Sequence, residues 1–171
     1  RQLIPFIDMA YQGFGEGLDE DAYGIRLMAA RLPEVVVAAS YSKNFGLYRE
    51  RAGSLSVVFA DEKQADAGQS QLLSITRALY SMPPSHGASL IDIILHSDEL
   101  TQGWNSELTG MRQRIANLRT DLVKQLNQLQ QKQDFSFIAN EKGMFSFLGL
   151  TQEQVLHRSW DSLLYTARYS F

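Results

Sequence analysis

The segment from Glu34 to Lys43 reads EVVVAASYSK, an unbroken apolar run followed by a short polar run that ends in a lysine. A continuous apolar run of this length is typical of a strand buried on both faces, as in a parallel sheet. In open α/β sheets, ligands bind beyond the carboxyl ends of such strands. The segment therefore predicts an α/β fold in which Lys43 follows a buried strand, at an edge where ligands bind.

The flanking sequence favours the same class, because strand and helix patterns follow one another along the chain. Leu3–Ala10 and Ser54–Ala60 have the composition of strands, and Asp19–Leu32 has helical spacing with acidic residues in its first turn. Glu62–Tyr80 and Ala88–His96 predict two more helices.

The second half of the chain begins with one long helical pattern. Apolar residues recur at steps of three and four over Ser97–Gln131, and Ser97 can cap the helix. Phe135–Ile138 and Met144–Phe147 alternate in polarity, which predicts two strands, and Thr151–Leu156 predicts the start of another helix.

Composition excludes several classes of function. The chain has 171 residues, a net charge of −3 and no cysteine. The charge gives no reason to expect nucleic-acid or membrane binding, and no apolar run is long enough to cross a bilayer. Without cysteine there are no disulfides or thiol nucleophiles, which fits a reducing cytoplasm. Because a strand starts close to Arg1, we expect the chain to be a fragment.

Asp8 and Lys43 are the first candidate site residues. A carboxylate inside an apolar strand costs several kcal/mol unless it meets a cation or a hydrogen-bond donor. A nucleophilic lysine must lose its proton, and the neighbouring cations Arg49 and Arg51 would favour that. From the pattern alone, however, Asp8 at a strand end reaching solvent and Lys43 on a polar surface loop are the stronger interpretations.

Other motifs give little support for chemistry. The loop Gly13–Gly17 follows a strand, but its spacing is G-x-G-x-G, and Glu16 would face a pyrophosphate, so a plain flexible loop is favoured over a dinucleotide site. The histidines lack metal-ligand spacing, and we expect no metal site; they are His86, His96 and His157.

The basic residues of the long helix predict only a solvated face. They are Arg112, Arg114 and Arg119.

Three ordered stretches resemble blocks of the class I aminotransferases. They are Asp8–Phe14 (DMAYQGF), Ser40–Gly53 (SYSKNFGLYRERAG) and Arg77–Pro84 (RALYSMPP). The bacterial aspartate and aromatic aminotransferases are the most similar subgroup, and Phe135–Leu150 resembles their C-terminal small domain. After Leu156 we find no likeness; neither the tail nor Arg168 matches, and we expect a frameshifted or otherwise altered tail.

The resemblance implies a fold-type-I pyridoxal-phosphate-dependent transferase, present in part, with a mixed sheet. Residues 1–97 would be the C-terminal part of the cofactor-binding large domain and residues 98–133 a long linking helix. Residues 134–171 would be the start of an α+β small domain with an atypical tail. The family's N-terminal half has no counterpart in the chain.

The resemblance also implies roles for residues that bind pyridoxal phosphate. Lys43 would form the Schiff base with the cofactor and shuttle the substrate proton. Asp8 would pair with the protonated pyridine nitrogen, which keeps the ring an electron sink. Tyr11 would hydrogen-bond the phenolic oxygen, and Ser40 and Arg51 would bind the phosphate.

Arg77 resembles the arginine that reaches into a neighbouring subunit's site and binds the distal carboxylate of the substrate, which implies a homodimer. The implied function is transfer of an amino group between an aspartate-type or aromatic amino acid and a 2-oxo acid. Two alternatives stay open: another pyridoxal-phosphate enzyme, such as a decarboxylase or lyase, and an inactive remnant that serves at most for folding or dimerisation. The choice between aspartate and aromatic substrates is also open.

Overall fold

The computed structural model describes residues 3–129, 134–153 and 155–156. Its sheet has three strands in the order β1-β2-β3: β1 is Phe6–Met9, β2 is Val35–Ser40 and β3 is Gly53–Val58. β1 runs parallel to β2, and β3 runs antiparallel to it. The predicted mixed sheet is confirmed. Its central strand is β2, which contains the apolar run that follows Glu34.

The two faces of the sheet differ in burial. Val35 and Val37 are buried on one face. The register pairs Phe6 with Val36 and Asp8 with Ala38, so these four side chains share the opposite face. There Val36 and Ala38 are only half-buried and Phe6 is exposed. We expected β2 to be buried on both faces, but only one face is buried. No described segment covers the other face.

Two short helices replace the single helix predicted over Asp19–Leu32. α1 is Leu18–Asp21 and α2 is Tyr23–Arg31, with Ala22 between them. The interruption lies where the Asp21 side chain turns back to accept hydrogen bonds from the loop that precedes α1.

The remaining helices lie where periodicity predicts them. α3 is Glu62–Tyr80, with the Asp61 carboxylate accepting from the Gln64 N–H at its start. α4 is His86–Leu95, two residues earlier than predicted. α5 is Asp98–Gln128, capped by Ser97, and the last residues of its predicted range lie outside the described part of the chain.

The stretch after α5 departs from the predicted pair of strands. Ser136–Asn140 forms a 3-10 helix, η1, where Phe135–Ile138 was predicted as a strand, and the buried Ile138 lies on it. Met144–Phe147 forms no strand; the Phe145 carbonyl accepts from an arginine of α5 instead of a neighbouring strand. Alternating polarity was the wrong signal here, since side-chain donors compete with sheet partners for backbone acceptors.

The tail is described only in part. Residues 152–153 and 155–156 are helical, which agrees with the helix start predicted at Thr151–Leu156. The run after Leu156, including Arg168, lies outside the described residues.

Candidate active site

Lys43 lies on a tight turn directly after β2. The Phe45 N–H donates to the Tyr41 carbonyl over 3.3 Å, and the Gly46 N–H donates to the Lys43 carbonyl over 3.2 Å. Gly46 has a φ of 68°, a conformation that favours glycine. Ser42 and Asn44 are buried on either side of the half-buried lysine. The backbone therefore fixes the base of the Lys43 side chain while its amine stays accessible.

The Lys43 amine lies over an aromatic ring. Its Nζ is 4.7 Å from the centroid of the Tyr11 ring, within the range of a cation–π contact. Phe145 meets the same tyrosine edge-on, with centroids 5.2 Å apart and planes at 82°. Lys43 and Tyr11, two of the predicted site residues, are therefore in contact, and Phe145 is an additional neighbour.

Ser40 and Arg51 lie at the same end of the sheet. Ser40 pairs with Gly53, and the Tyr41 N–H donates to the Ala52 carbonyl, so the hairpin returns Arg51 to the end of β2. The Ser40 hydroxyl donates to the Ser42 hydroxyl over 3.1 Å.

The backbone of this hairpin is constrained at two places. Arg51 has a φ of 54°, uncommon for a residue other than glycine. Its Nη1 donates to the Tyr48 carbonyl over 2.9 Å, and Nη2 and Nε have no hydrogen-bond acceptor among the described residues. A Cβ on Gly53 would lie 2.6 Å from the Ala39 carbonyl oxygen, so glycine is required for this close approach.

Asp8 lies on the open face of the sheet. Its side chain is exposed, and within residues 3–129 and the later described segments it has no hydrogen-bond or ion-pair partner. This agrees with the strand-end interpretation that the pattern favours, while the pairing with a pyridine nitrogen that the resemblance implies stays a prediction. The register places Asp8 beside Ala38, two residues before Ser40, so Asp8 and Ser40 share that face.

Arg77 lies apart from these residues. It is exposed in the last turn of α3, and its side chain has no hydrogen-bond or ion-pair partner in the described segments. The structure thus brings Lys43 and Tyr11 together and places Ser40, Arg51 and Asp8 around the same strand end, but it leaves Arg77 outside this group.

Helix α5 anchors the Lys43 turn through Trp104, a residue that the sequence indicated only as part of an apolar stripe. Its indole N–H donates to the Asn44 carbonyl over 2.7 Å. Its ring stacks on Phe45 with centroids 4.3 Å apart and planes at 10°. A tryptophan N–H within an apolar stripe needs a hydrogen-bond acceptor. That need was the one feature of the sequence that could have indicated an anchoring role for Trp104.

The glycine loop is tied down rather than free. The Asp21 carboxylate accepts hydrogen bonds from the backbone N–H groups of Gly13 (2.8 Å), Gly15 (2.9 Å) and Glu16 (2.9 Å). Burial alone would raise the pKa of Asp21, but the N–H groups of the loop outweigh it and lower the pKa below its ordinary value of 3.8. The amides that a dinucleotide would need are therefore used on the chain's own carboxylate.

Two arginines of α5 do not lie on the predicted solvated face. Arg112 is half-buried, and its Nη1 donates to the Gly13 carbonyl over 3.0 Å. Arg119 is buried. Arg114 alone of the three is exposed as predicted. The helical pattern could not reveal this, because the acceptors of these guanidinium groups are in segments far away along the chain.

A cavity of about 690 Å³ opens beside the Lys43 turn. Its volume is in the range of small-molecule sites. The lining includes Lys43, Asn44, Trp104, Met144 and Phe145. Within the described part of the chain, the buried Asn44 Oδ1 has no hydrogen-bond partner.

The described residues show neither a metal-binding cluster nor a membrane-spanning helix. They contain no group of three or more histidine, cysteine or acidic side chains that could hold a metal ion; His157 falls outside them. None of their helices combines the length and apolarity needed to span a membrane.

Comparison with known proteins identifies the family. Residues 1–169 match the family model described as aminotransferase class I and II. This chain belongs to the class I and II aminotransferase family. It is 52% identical over 153 residues to the aspartate aminotransferase of Escherichia coli strain K12, a match that covers 90% of this chain and 39% of that protein. It is 47% identical over 152 residues to the aromatic-amino-acid aminotransferase of Paracoccus denitrificans, covering 89% and 39%.

Solved structures of other aminotransferases share the fold. The aromatic-amino-acid aminotransferase from Burkholderia pseudomallei, covalently bound to pyridoxal phosphate, superposes with a TM-score of 0.87 at 46% identity, over 91% of this chain and 39% of that one. This confirms the predicted fold-type-I transferase fold. This aminotransferase chain therefore spans about two fifths of the length of its relatives.

The family match also bears on the tail. It extends to residue 169 and so includes most of the run after Leu156 for which we expected no likeness.

The Asp21 contacts predict an acid-sensitive glycine loop in this aminotransferase chain. Because the folded-state pKa is lowered, the carboxylate stabilises the fold above pH 3.8, and that stabilisation is lost as pH falls below this value through the folded-state pKa. Asp21→Asn should lower the free energy of unfolding at neutral pH and flatten its fall in acid, as measured by urea unfolding across pH. Asp19→Asn, on the exposed side of α1, is the matched control. If the free energy of unfolding fell equally in acid for Asp21→Asn and for the native chain, the stabilising role of Asp21 would be contradicted.

Proposed function

We propose that this protein is a pyridoxal-phosphate-dependent transaminase that moves an amino group between an aspartate-type or aromatic amino acid and a 2-oxo acid. One observation carries the proposal: the Lys43 amine lies on the Tyr11 ring at the end of β2, with Ser40 and Arg51 at the same sheet edge. This is the edge where an open α/β sheet binds its ligand.

The donor set fits pyridoxal phosphate. Its phosphate requires hydroxyl and guanidinium donors. Arg51 has two nitrogens without an acceptor among the described residues, and the Ser40 hydroxyl, which donates to Ser42 here, would turn to the phosphate. Its ring nitrogen requires an anionic partner, and Asp8 is a carboxylate without a partner in the described structure, on the same face as Ser40. Its aldehyde requires a primary amine, which Lys43 provides.

The cofactor, when bound, supplies an electron sink for the charge that develops at the substrate Cα. The chain's own residues supply the rest. Lys43 Nζ would hold the cofactor covalently and, once released by the substrate amine, would carry the proton away from Cα. The Tyr11 ring, already beneath the amine, would orient it, and the Tyr11 hydroxyl would donate to the cofactor's phenolic oxygen.

Substrate class stays open between aspartate-type and aromatic amino acids, since relatives named for both share similar identity with this chain. We assign the distal substrate carboxylate to Arg77, whose guanidinium is exposed and has no hydrogen-bond or ion-pair partner in the described structure. For location we propose the cytoplasm, which the absence of cysteine supports.

We further propose a homodimer in which Arg77 serves the partner's site. The support comes from α3, which has no buried residue. On the side of α3 that carries Arg77, Leu73 and Tyr80 are exposed and form an apolar face, here called the α3 face. If a second copy of the chain bound to this face, Arg77 would lie next to that copy.

Reductive trapping tests the cofactor role of Lys43. Borohydride reduces a covalent link between pyridoxal phosphate and a lysine to a stable amine, so peptide mass spectrometry can locate it. We expect one labelled peptide, containing Lys43, and none in Lys43→Ala. Lys142→Ala, at the exposed surface, should trap as the native chain does. Scattered labelling of several lysines at equal yield would refute the proposal and favour the inactive remnant.

Sedimentation tests the dimer. The double variant Leu73→Ser/Tyr80→Ser should weaken self-association at least about tenfold, because each loss of buried apolar side-chain surface is worth on the order of 1 kcal/mol or more per copy. Leu129→Ser changes a similarly exposed leucine directly after α5; it is the control and should leave association unchanged. A native chain that stays monomeric at high concentration would exclude this proposal.

A further inference from the structure

Arg119 is a cation in the interior of the protein. It lies on α5 and is only 6% exposed. Among the described residues no carboxylate forms an ion pair with it. A buried guanidinium is costly unless its donors are satisfied, so its contacts must compensate for desolvation.

All three hydrogen bonds of Arg119 go to one short segment, residues 143–146, here called the 143–146 loop. Nε donates to Ser146 Oγ over 2.7 Å, and Nη2 donates to the Phe145 carbonyl over 2.8 Å and also to the Gly143 carbonyl. The loop has no helix or strand of its own, and Gly143 has a φ of 86°. Its backbone is therefore held by a side chain where secondary structure does not hold it.

The loop carries Phe145, and burial does not hold this side chain in place. This residue is 71% exposed, yet its ring packs edge-on against Tyr11, whose ring lies beneath the Lys43 amine. The nearby Lys142–Glu16 ion pair is exposed at both ends, and such pairs contribute little. The Phe147 N–H also donates to Glu141 Oε1 across the loop, over 3.1 Å. The Arg119 contacts are the buried, charge-assisted restraint on the Phe145 backbone itself.

We propose that Arg119 is a positioning residue for Lys43. It holds the 143–146 loop so that Phe145 packs against Tyr11, and Tyr11 in turn keeps the Lys43 amine in place. Arg119 touches neither the amine nor its aromatic partner. The consequence for cofactor capture rests on the proposed function, but the geometric claim does not.

Competitive amine labelling measures the geometry without any cofactor. A small acylating reagent is applied in trace amount, and mass spectrometry gives the ratio of labelling at Lys43 to labelling at Lys63, an exposed lysine of α3. Arg119→Met should raise this ratio about twofold to tenfold, the factor expected when one aromatic pair is lost. Arg119→Lys, which keeps a charge and donors, should restore part of it. Lys124→Met, an exposed cation on the same helix, should leave it unchanged.

A double-mutant cycle with Phe145→Leu tests the route. If Arg119 acts through Phe145, the labelling ratio of Arg119→Met/Phe145→Leu should equal that of either single variant. Multiplicative effects of the two changes, or an unchanged ratio in a folded Arg119→Met chain, would overturn the proposal. If circular dichroism shows that Arg119→Met does not fold, Arg119→Lys and Ser146→Ala replace it. Each is then combined with Phe145→Leu, and the labelling ratios are compared in the same way.

Cofactor trapping on the same variants separates the two proposals. The yield at Lys43 should fall in Arg119→Met and recover in part in Arg119→Lys. A native chain that traps no cofactor would defeat the proposed function, while the labelling cycle would still decide the role of Arg119. A native chain that traps normally, with Arg119→Met unchanged in both yield and labelling ratio, would defeat the positioning role alone.

Discussion

The hydrogen bond from the Trp104 indole to the Asn44 carbonyl is the constraint on which the candidate site depends. Asn44 follows Lys43 directly, so the bond fixes the lysine's turn to α5. The same helix reaches the glycine loop through Leu108, which is fully buried, and through Arg112. It reaches the 143–146 loop through Arg119. One helix therefore positions the segments that carry Lys43, the loop after Tyr11, and Phe145.

Helix rigidity explains why one element can do this. The fifteen positions from Trp104 to Arg119 span roughly 22 Å at about 1.5 Å per residue. Gly13 shows how close the packing is: a Cβ there would lie 2.5 Å from Leu108 Cδ2, and its φ of 95° suits glycine alone. The glycine of the loop that looked like a nucleotide motif is thus required for helix packing.

Local patterns predicted the sheet and the helices well, because periodicity reports which face of an element is buried. They failed after α5, where the Phe145 carbonyl accepts from the Arg119 guanidinium instead of a strand. The site residues could be named only through resemblance to a family. On their own surroundings, Asp8 and Lys43 looked like surface residues, and Asp8 is indeed exposed in this chain.

The anchoring contacts were not predictable from sequence, since they join residues far apart in the chain. Trp104 and Asn44 are 60 positions apart, and Arg119 and Phe145 are 26 apart. An arginine followed by acids on a helix gives the same local pattern whether it is solvated or buried. Only the tertiary arrangement distinguishes Arg114, which is exposed, from Arg119, which is not.

Hydrogen exchange in Trp104→Phe tests the central claim most directly, because phenylalanine keeps an aromatic ring beside Phe45, though a smaller one, and removes the indole N–H. The amides of Phe45 and Gly46, which close the Lys43 turn, should exchange about twofold to tenfold faster, the factor expected for one lost hydrogen bond. Amides that pair β2 with β3 should keep their protection. Unchanged exchange at Phe45 and Gly46, or equal acceleration throughout the sheet, would contradict the anchoring role of Trp104.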